Sequence, residues 1–143
     1  MPNHIIVQGS TPRKRELART IVNFCIKELM PRTTTLDIEI NICNIEPDAD
    51  GYCLQVDKNN FEIEISTGTK DPDFVTAIMH EMTHVSQHRK GWLKDINAFT
   101  KRWKGEDYLP LFTTVDEYVS LPWEADAYKM QEVLYERYLN GTR

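Results

Sequence analysis

His80-Glu81-Met82-Thr83-His84 lies in the middle of a segment with helical periodicity, and no other stretch constrains this 143-residue chain as much. On a helix, positions i and i+4 share one face a turn apart, so His80 and His84 both reach a single metal ion. Glu81 projects about 100° away, where it can take a proton from a water at that ion. The pattern supplies two imidazoles, a general base and room for a third ligand. The flanking residues support a helix. Asp71-Pro72-Asp73-Phe74 reads as its start, because acidic residues suit the N-terminal end of the dipole and proline is tolerated in the first turn. Phe74, Val75, Ile78, Met82 and Val85 make one apolar stripe, centred away from His80 and His84. The expected helix buries one side in the core, turns its histidines the other way and stops at Gly91. A helix with decorative histidines has no need of that separation.

Two histidines leave a catalytic zinc site short of a third protein ligand. His88 is two helical turns from His80, about 12 Å along the axis, too far for one ion to join all three. A third histidine can serve when a glycine turn folds the chain back six residues after the second. Here that position is Lys90, and the glycine position is Gln87. His88 is therefore read as a polar-face residue or one that supports a ligand. Glu124 is the better candidate, in Leu121-Pro122-Trp123-Glu124-Ala125-Asp126-Ala127-Tyr128. Ser120 as a cap, Pro122 in the first turn and the acidic residues that follow mark a helix start. Ala127, Met130, Val133, Leu134 and Tyr138 continue it as an apolar stripe. Glu117 and Asp116, just upstream, are rivals for the ligand, and a first-turn glutamate can also serve the helix dipole alone.

HExxH followed by a glutamate on a later helix resembles the gluzincins, the thermolysin-like clan of zinc metallopeptidases. "HEMTHVSQ" and "LPWEADAY" also resemble minimal single-domain zincin-like proteins of bacteria and phages. The resemblance covers mainly residues 72–91 and 120–135. It implies a small sheet over an active-site helix, zinc held by His80, His84 and Glu124, and Glu81 as the base. Thermolysin-like enzymes often place an aspartate four residues after the glutamate to orient a histidine ligand. Here that position is Tyr128, and the nearby aspartate is Asp126. Metal-bound histidines nearly always need such a partner, so Asp126 and Tyr128 are candidates for that supporting role.

The rest of the chain sets bounds. Its length suits one domain with a real core, so residues 1–143 are expected to form a single domain, which the resemblance implies is zincin-like. A net charge of −5 argues against a general nucleic-acid binder, and Arg13-Lys14-Arg15 is read as a solvated helix face. Cys25, Cys43 and Cys53 lack a CxxC spacing and are read as packing residues. No apolar run suits a membrane span and no signal-peptide h-region is evident, so a cytoplasmic protein is expected.

Residues 4–8 read as a short strand, and a helix follows from Ser10-Thr11-Pro12 to about Met30, burying Leu17, Ile21, Phe24, Cys25 and Leu29. Leu36, Ile38, Ile40 and Ile42 alternate with polar residues as a half-buried strand. Residues 52–57 and 61–66 read as a hairpin around Lys58-Asn59-Asn60. The expected fold is α+β: a small, mostly antiparallel sheet on an N-terminal helix and the HExxH helix, with a C-terminal helix carrying the third ligand.

Zincin-like peptidases bind substrate as a strand added to an exposed sheet edge, and Phe61–Ser66 is the candidate edge, although Glu62 and Glu64 also suit a protected one. Residues 92–119, with Trp92, Phe99, Trp103, Tyr108, Leu109 and Phe112, are the least regular part. They are read either as a cover shaping a cleft or as a loop whose aromatics finish the core. Tyr108, Tyr118 and Tyr128 are candidates to donate to a tetrahedral oxyanion. The expected activity is zinc-dependent peptide hydrolysis with Glu81 as general base. The alternative is a non-catalytic zincin-fold binding or inhibitory module that retains its metal.

Overall fold

The computed structural model describes residues 3–45, 51–109 and 114–141. Strand β1 (His4–Gln8) leads into helix α1 (Pro12–Leu29), whose first turn is capped by the Thr11 hydroxyl accepting from the Lys14 N–H. Strands β2 (Asp37–Cys43), β3 (Gly51–Gln55) and β4 (Asn60–Ser66) follow, then helix α2 (Asp73–Arg89). Three short strands come next, β5 (Leu93–Asn97), β6 (Thr100–Trp103) and β7 (Glu106–Tyr108). A five-residue helix α3 (Val115–Val119) and the long α4 (Pro122–Gly141) complete the order. Among the described residues the architecture is mixed α and β, with two small sheets.

The main sheet has the order β1-β2-β4-β3 and overturns the expectation of a mostly antiparallel sheet. Both β1/β2 and β2/β4 are parallel, and β3/β4 alone is antiparallel. Alternating apolar residues report which face is buried, and that alternation is the same for either strand direction. Direction is set by connections. Helix α1 carries the chain back between β1 and β2, which a parallel pair requires. The Asp57–Asn60 turn, with Asp57 carboxylate oxygens accepting from Asn59 and Asn60, makes the expected hairpin. The order also moves the edge. Phe61–Ser66 lies inside the sheet between β2 and β3, and among the described residues β3 is the edge strand on that side.

Ile38, Ile40 and Ile42 stand in register with Phe61, Ile63 and Ile65, and all six are buried on the helix-bearing face. Packed on them are Ala18, Ile21, Val22 and Cys25 of α1 and the α2 stripe Phe74, Val75, Ile78, Met82 and Val85. Helix α4 packs across the other side of α2, adding Leu134 to the core, with Tyr138 edge-on to Phe24. With neighbours on both sides, α2 is buried from Ala77 to His88 without interruption. The histidines do face away from the apolar stripe, as expected, but toward α4 rather than toward water. Gly91 ends α2 with φ +77° and donates its N–H to the His88 carbonyl, the left-handed stop that glycine permits.

Two surface readings change. The Lys14 ammonium donates to the Thr67 and Thr69 carbonyls and lies over the Phe74 ring, and Arg15 donates to the Gly9 and Ser10 carbonyls. These cations tie loops down instead of forming only a solvated face. Residues 92–109 are regular, a β5-β6-β7 meander, which the sequence did not signal because its strands are short and charged and carry little alternation. Trp92 and Trp103 meet edge to face, with Lys90 and Lys104 over the Trp92 ring. Phe99 is 78% exposed, and Phe112 lies outside the described residues. No helix among the described residues is long and apolar enough to cross a membrane.

Candidate metal centre

The α2–α4 contact brings together His80, His84 and Glu124, all buried, with one ligand atom from each within 4.8 Å of the others. Nε2 of His80 is 2.9 Å from one Glu124 carboxylate oxygen, and Nε2 of His84 is 3.3 Å from the other. In a tetrahedral zinc site with bonds of ~2.0–2.1 Å, neighbouring ligand atoms lie ~3.3 Å apart. The donor set thus fits a divalent ion in both chemistry and spacing. Asp116 and Glu117, the rivals for the third ligand, are exposed on α3 and outside this cluster. The Ser120 hydroxyl donates to the Asp116 carbonyl and closes α3, so it does not cap α4.

Each imidazole is held from behind. Nδ1 of His80 is 2.8 Å from Gln131 Oε1, and Nδ1 of His84 is 2.8 Å from Gln87 Oε1. Those amide oxygens accept, so each Nδ1 carries a proton and each Nε2 faces Glu124. Asp126, expected beside a histidine, touches neither one. It accepts from Gln87 Nε2 at 2.9 Å and acts through that side chain. Tyr128 packs its ring against His80, with centroids 4.5 Å apart. Sequence reasoning missed both glutamines, although helical spacing held the signal. Gln87 is three positions beyond His84, and Gln131 is two turns beyond Glu124, on the same face of its helix.

The three buried groups share charge with one another. Burial pushes Glu124 up, but hydrogen bonds and charge from His80 and His84 outweigh it and bring it down to about 2. Burial opposes charge on His84, yet the hydrogen bond and charge of Glu124 dominate and raise it to about 9. Glu81 is shifted upward, chiefly by burial, with His84 and His80 pulling against that and Glu124 adding to it. A carboxyl shifted upward in this way suits a general base.

Glu81 opens with His84 and Glu124 into a cleft of about 290 Å³, walled by Gly51, Tyr52 and Cys53 of β3, Leu93, Lys101, Leu121 and Trp123. The meander therefore does shape the cleft, through Leu93 and Lys101, while Tyr108 packs edge-on to Trp123 and bonds Glu106 instead. A Cβ on Gly51 would stand 3.3 Å from Glu81 Oε2 and 2.9 Å from the Glu64 carbonyl, so glycine lets the edge strand approach the carboxylate. Tyr118 also lines the cleft. Burial first, then the charge and hydrogen bond of Glu124, push its hydroxyl above the ordinary phenol range, so it stays a donor. His88 lines the cleft without joining the cluster, and burial pushes it down to about 4, which keeps it neutral. Burial, then the charge of Glu81, pushes the Cys53 thiol well up and keeps it unreactive.

Comparison with protein-family models, with curated proteins and with solved structures finds no match to this chain. The buried His-His-Glu cluster stands on its own geometry.

Proposed function

We propose that this protein is a zinc-dependent hydrolase of the gluzincin type, a peptidase with Glu81 as general base. One observation carries the reading: a buried His80-His84-Glu124 donor set with a second, raised carboxylate beside it in an open cleft. Two imidazoles and one carboxylate are the donor set of catalytic zinc, whereas structural sites more often use cysteines and close the fourth position. A bound zinc ion would supply Lewis-acid polarisation of the scissile carbonyl and acidify a water. Glu81 takes the proton of the attacking water and passes it to the leaving amine. Tyr118, a protonated phenol at the cleft wall, is the tyrosine best situated to donate to the oxyanion. Tyr108 lies away against Trp123, and Tyr128 packs on His80.

A peptide or protein substrate would add as a strand along β3, the edge that borders Glu81, in place of the interior Phe61–Ser66 strand. The main chain of β3 would supply hydrogen bonds, and the cleft walls Leu93, Leu121 and Trp123 favour an apolar side chain beside the scissile bond. An intracellular, cytoplasmic role belongs to the same proposal.

Native mass spectrometry of protein purified without added metal, followed by chelator-sensitive casein or peptide cleavage, tests this. The expected result is one zinc in wild type, weakened in Glu124→Ala, and a Glu81→Gln variant that keeps zinc but cleaves at least ~100-fold more slowly. Full activity in Glu81→Gln would refute the mechanism. Zinc retained with no cleavage by wild type, and capture of peptide through the β3 edge, would favour the non-catalytic binding module.

A further inference from the structure

Gln87 is 1% exposed, and its three polar contacts leave no freedom in how its amide points. The nitrogen donates to the Trp123 carbonyl at 3.0 Å and to the Asp126 carboxylate at 2.9 Å. Both partners are acceptors only, so the NH₂ group must face α4, and the oxygen is left for His84 Nδ1 at 2.8 Å. An amide turned the other way would set its oxygen against a carboxylate and a carbonyl while pointing NH₂ at an N–H. Gln131 behind His80 has one contact of this kind and a partly exposed position.

We propose that Gln87, locked by Asp126 and the Trp123 carbonyl, is a positioning residue that keeps the proton on Nδ1 of His84 and so makes Nε2 its ligand atom. The inference rests on reading His80, His84 and Glu124 as a metal site. The lock runs from α4 back to α2, so the helix that delivers Glu124 also sets the imidazole of His84. Because the Asp126 charge reaches His84 through a neutral amide, the ligand is oriented without a second carboxylate pressed against the ring.

The test uses zinc alone, with affinity read by competition with a chelator. Removing a partner behind a metal-bound histidine typically costs about 10–100-fold in affinity. Gln87→Met, similar in shape and without the amide, is expected to weaken zinc by that factor. Asp126→Leu, at a partly exposed position, is expected to weaken it about tenfold without touching a ligand. The conservative variant Asp126→Asn, whose amide oxygen can still accept from the Gln87 nitrogen, should hold affinity to within about threefold of wild type.

Nitrogen-resolved NMR of the imidazoles, in the metal-free protein, is the second readout. A slowly exchanging His84 Nδ1 proton is expected in wild type and in Asp126→Asn, and a fast-exchanging one in Gln87→Met. Should Gln87→Met fail to fold, Asp126→Leu and Asp126→Asn still decide. Unchanged zinc affinity in Asp126→Leu together with an unchanged Nδ1 proton would overturn the proposal. Failure of wild type to bind zinc would instead refute the metal reading, and the Nδ1 proton would still report whether Gln87 holds the ring.

Discussion

Replacing Glu124 by glutamine keeps the shape of the side chain and removes the charge that His80 and His84 share. In the metal-free protein the fall of Glu124 from its ordinary 4.5 to about 2 corresponds to about 3 kcal/mol of preference for the ionised form in the fold. The rise of His84 from 6.5 to about 9 gives a similar figure and describes the same pair, so the two are not added. Glu124 is depressed, so its contribution is complete above 4.5 and is lost as pH falls toward about 2. His84 is raised, so its contribution is complete below 6.5 and is lost as pH rises through about 9.

The pair is therefore fully formed between about pH 4.5 and 6.5, and Glu124→Gln should cost up to about 3 kcal/mol there and clearly less at pH 9.5. Urea titrations of chelator-treated wild type and variant at pH 5.5 and 9.5 measure this directly. Excess zinc at ~100 times Kd should then add about 2.7 kcal/mol to wild type at neutral pH and much less to the variant. A cost that is the same at both pH values, or under about 1 kcal/mol at pH 5.5, would refute the charge-pair reasoning.

Gly51→Ala sets a methyl 2.9 Å from the Glu64 carbonyl and 3.3 Å from Glu81 Oε2, and should cost about 1–3 kcal/mol in stability and slow peptide cleavage. Gly68→Ala, whose nearest atom would be Ser66 Oγ at 3.8 Å, is the control, and equal effects in the two variants would contradict the crowding argument. His84 at about 9 is protonated at pH 7 and must lose that proton to become a ligand. Zinc titrations in two buffers of different ionisation enthalpy should then show release of about one proton, and zero release would refute the protonated pair. Leu134→Ala, in the core beside α2, should cost about 2–5 kcal/mol by urea titration while leaving zinc stoichiometry unchanged.

What the sequence determined by itself was local and periodic. The α2 stripe, the i, i+4 pair His80 and His84, the β3–β4 hairpin and the Pro122 start of α4 were all legible, because helix and strand periods and turn chemistry act over a few residues. Glu124 was legible too, since a proline-led first turn marked where a second helix would deliver a carboxylate. Strand direction and order were not, because Ile38, Ile40, Ile42 and Phe61, Ile63, Ile65 carry the same alternation in a parallel or an antiparallel pair. Only the tertiary structure put β3 at the edge beside Glu81, buried α2 on both sides, and joined Gln87 of α2 to Asp126 and Trp123 of α4. The candidate ligand pair His80 and His84 is written in residue types at helical spacing. The orientation of the imidazoles and the walls of the cleft depend on contacts between elements far apart in the chain, which no local pattern encodes.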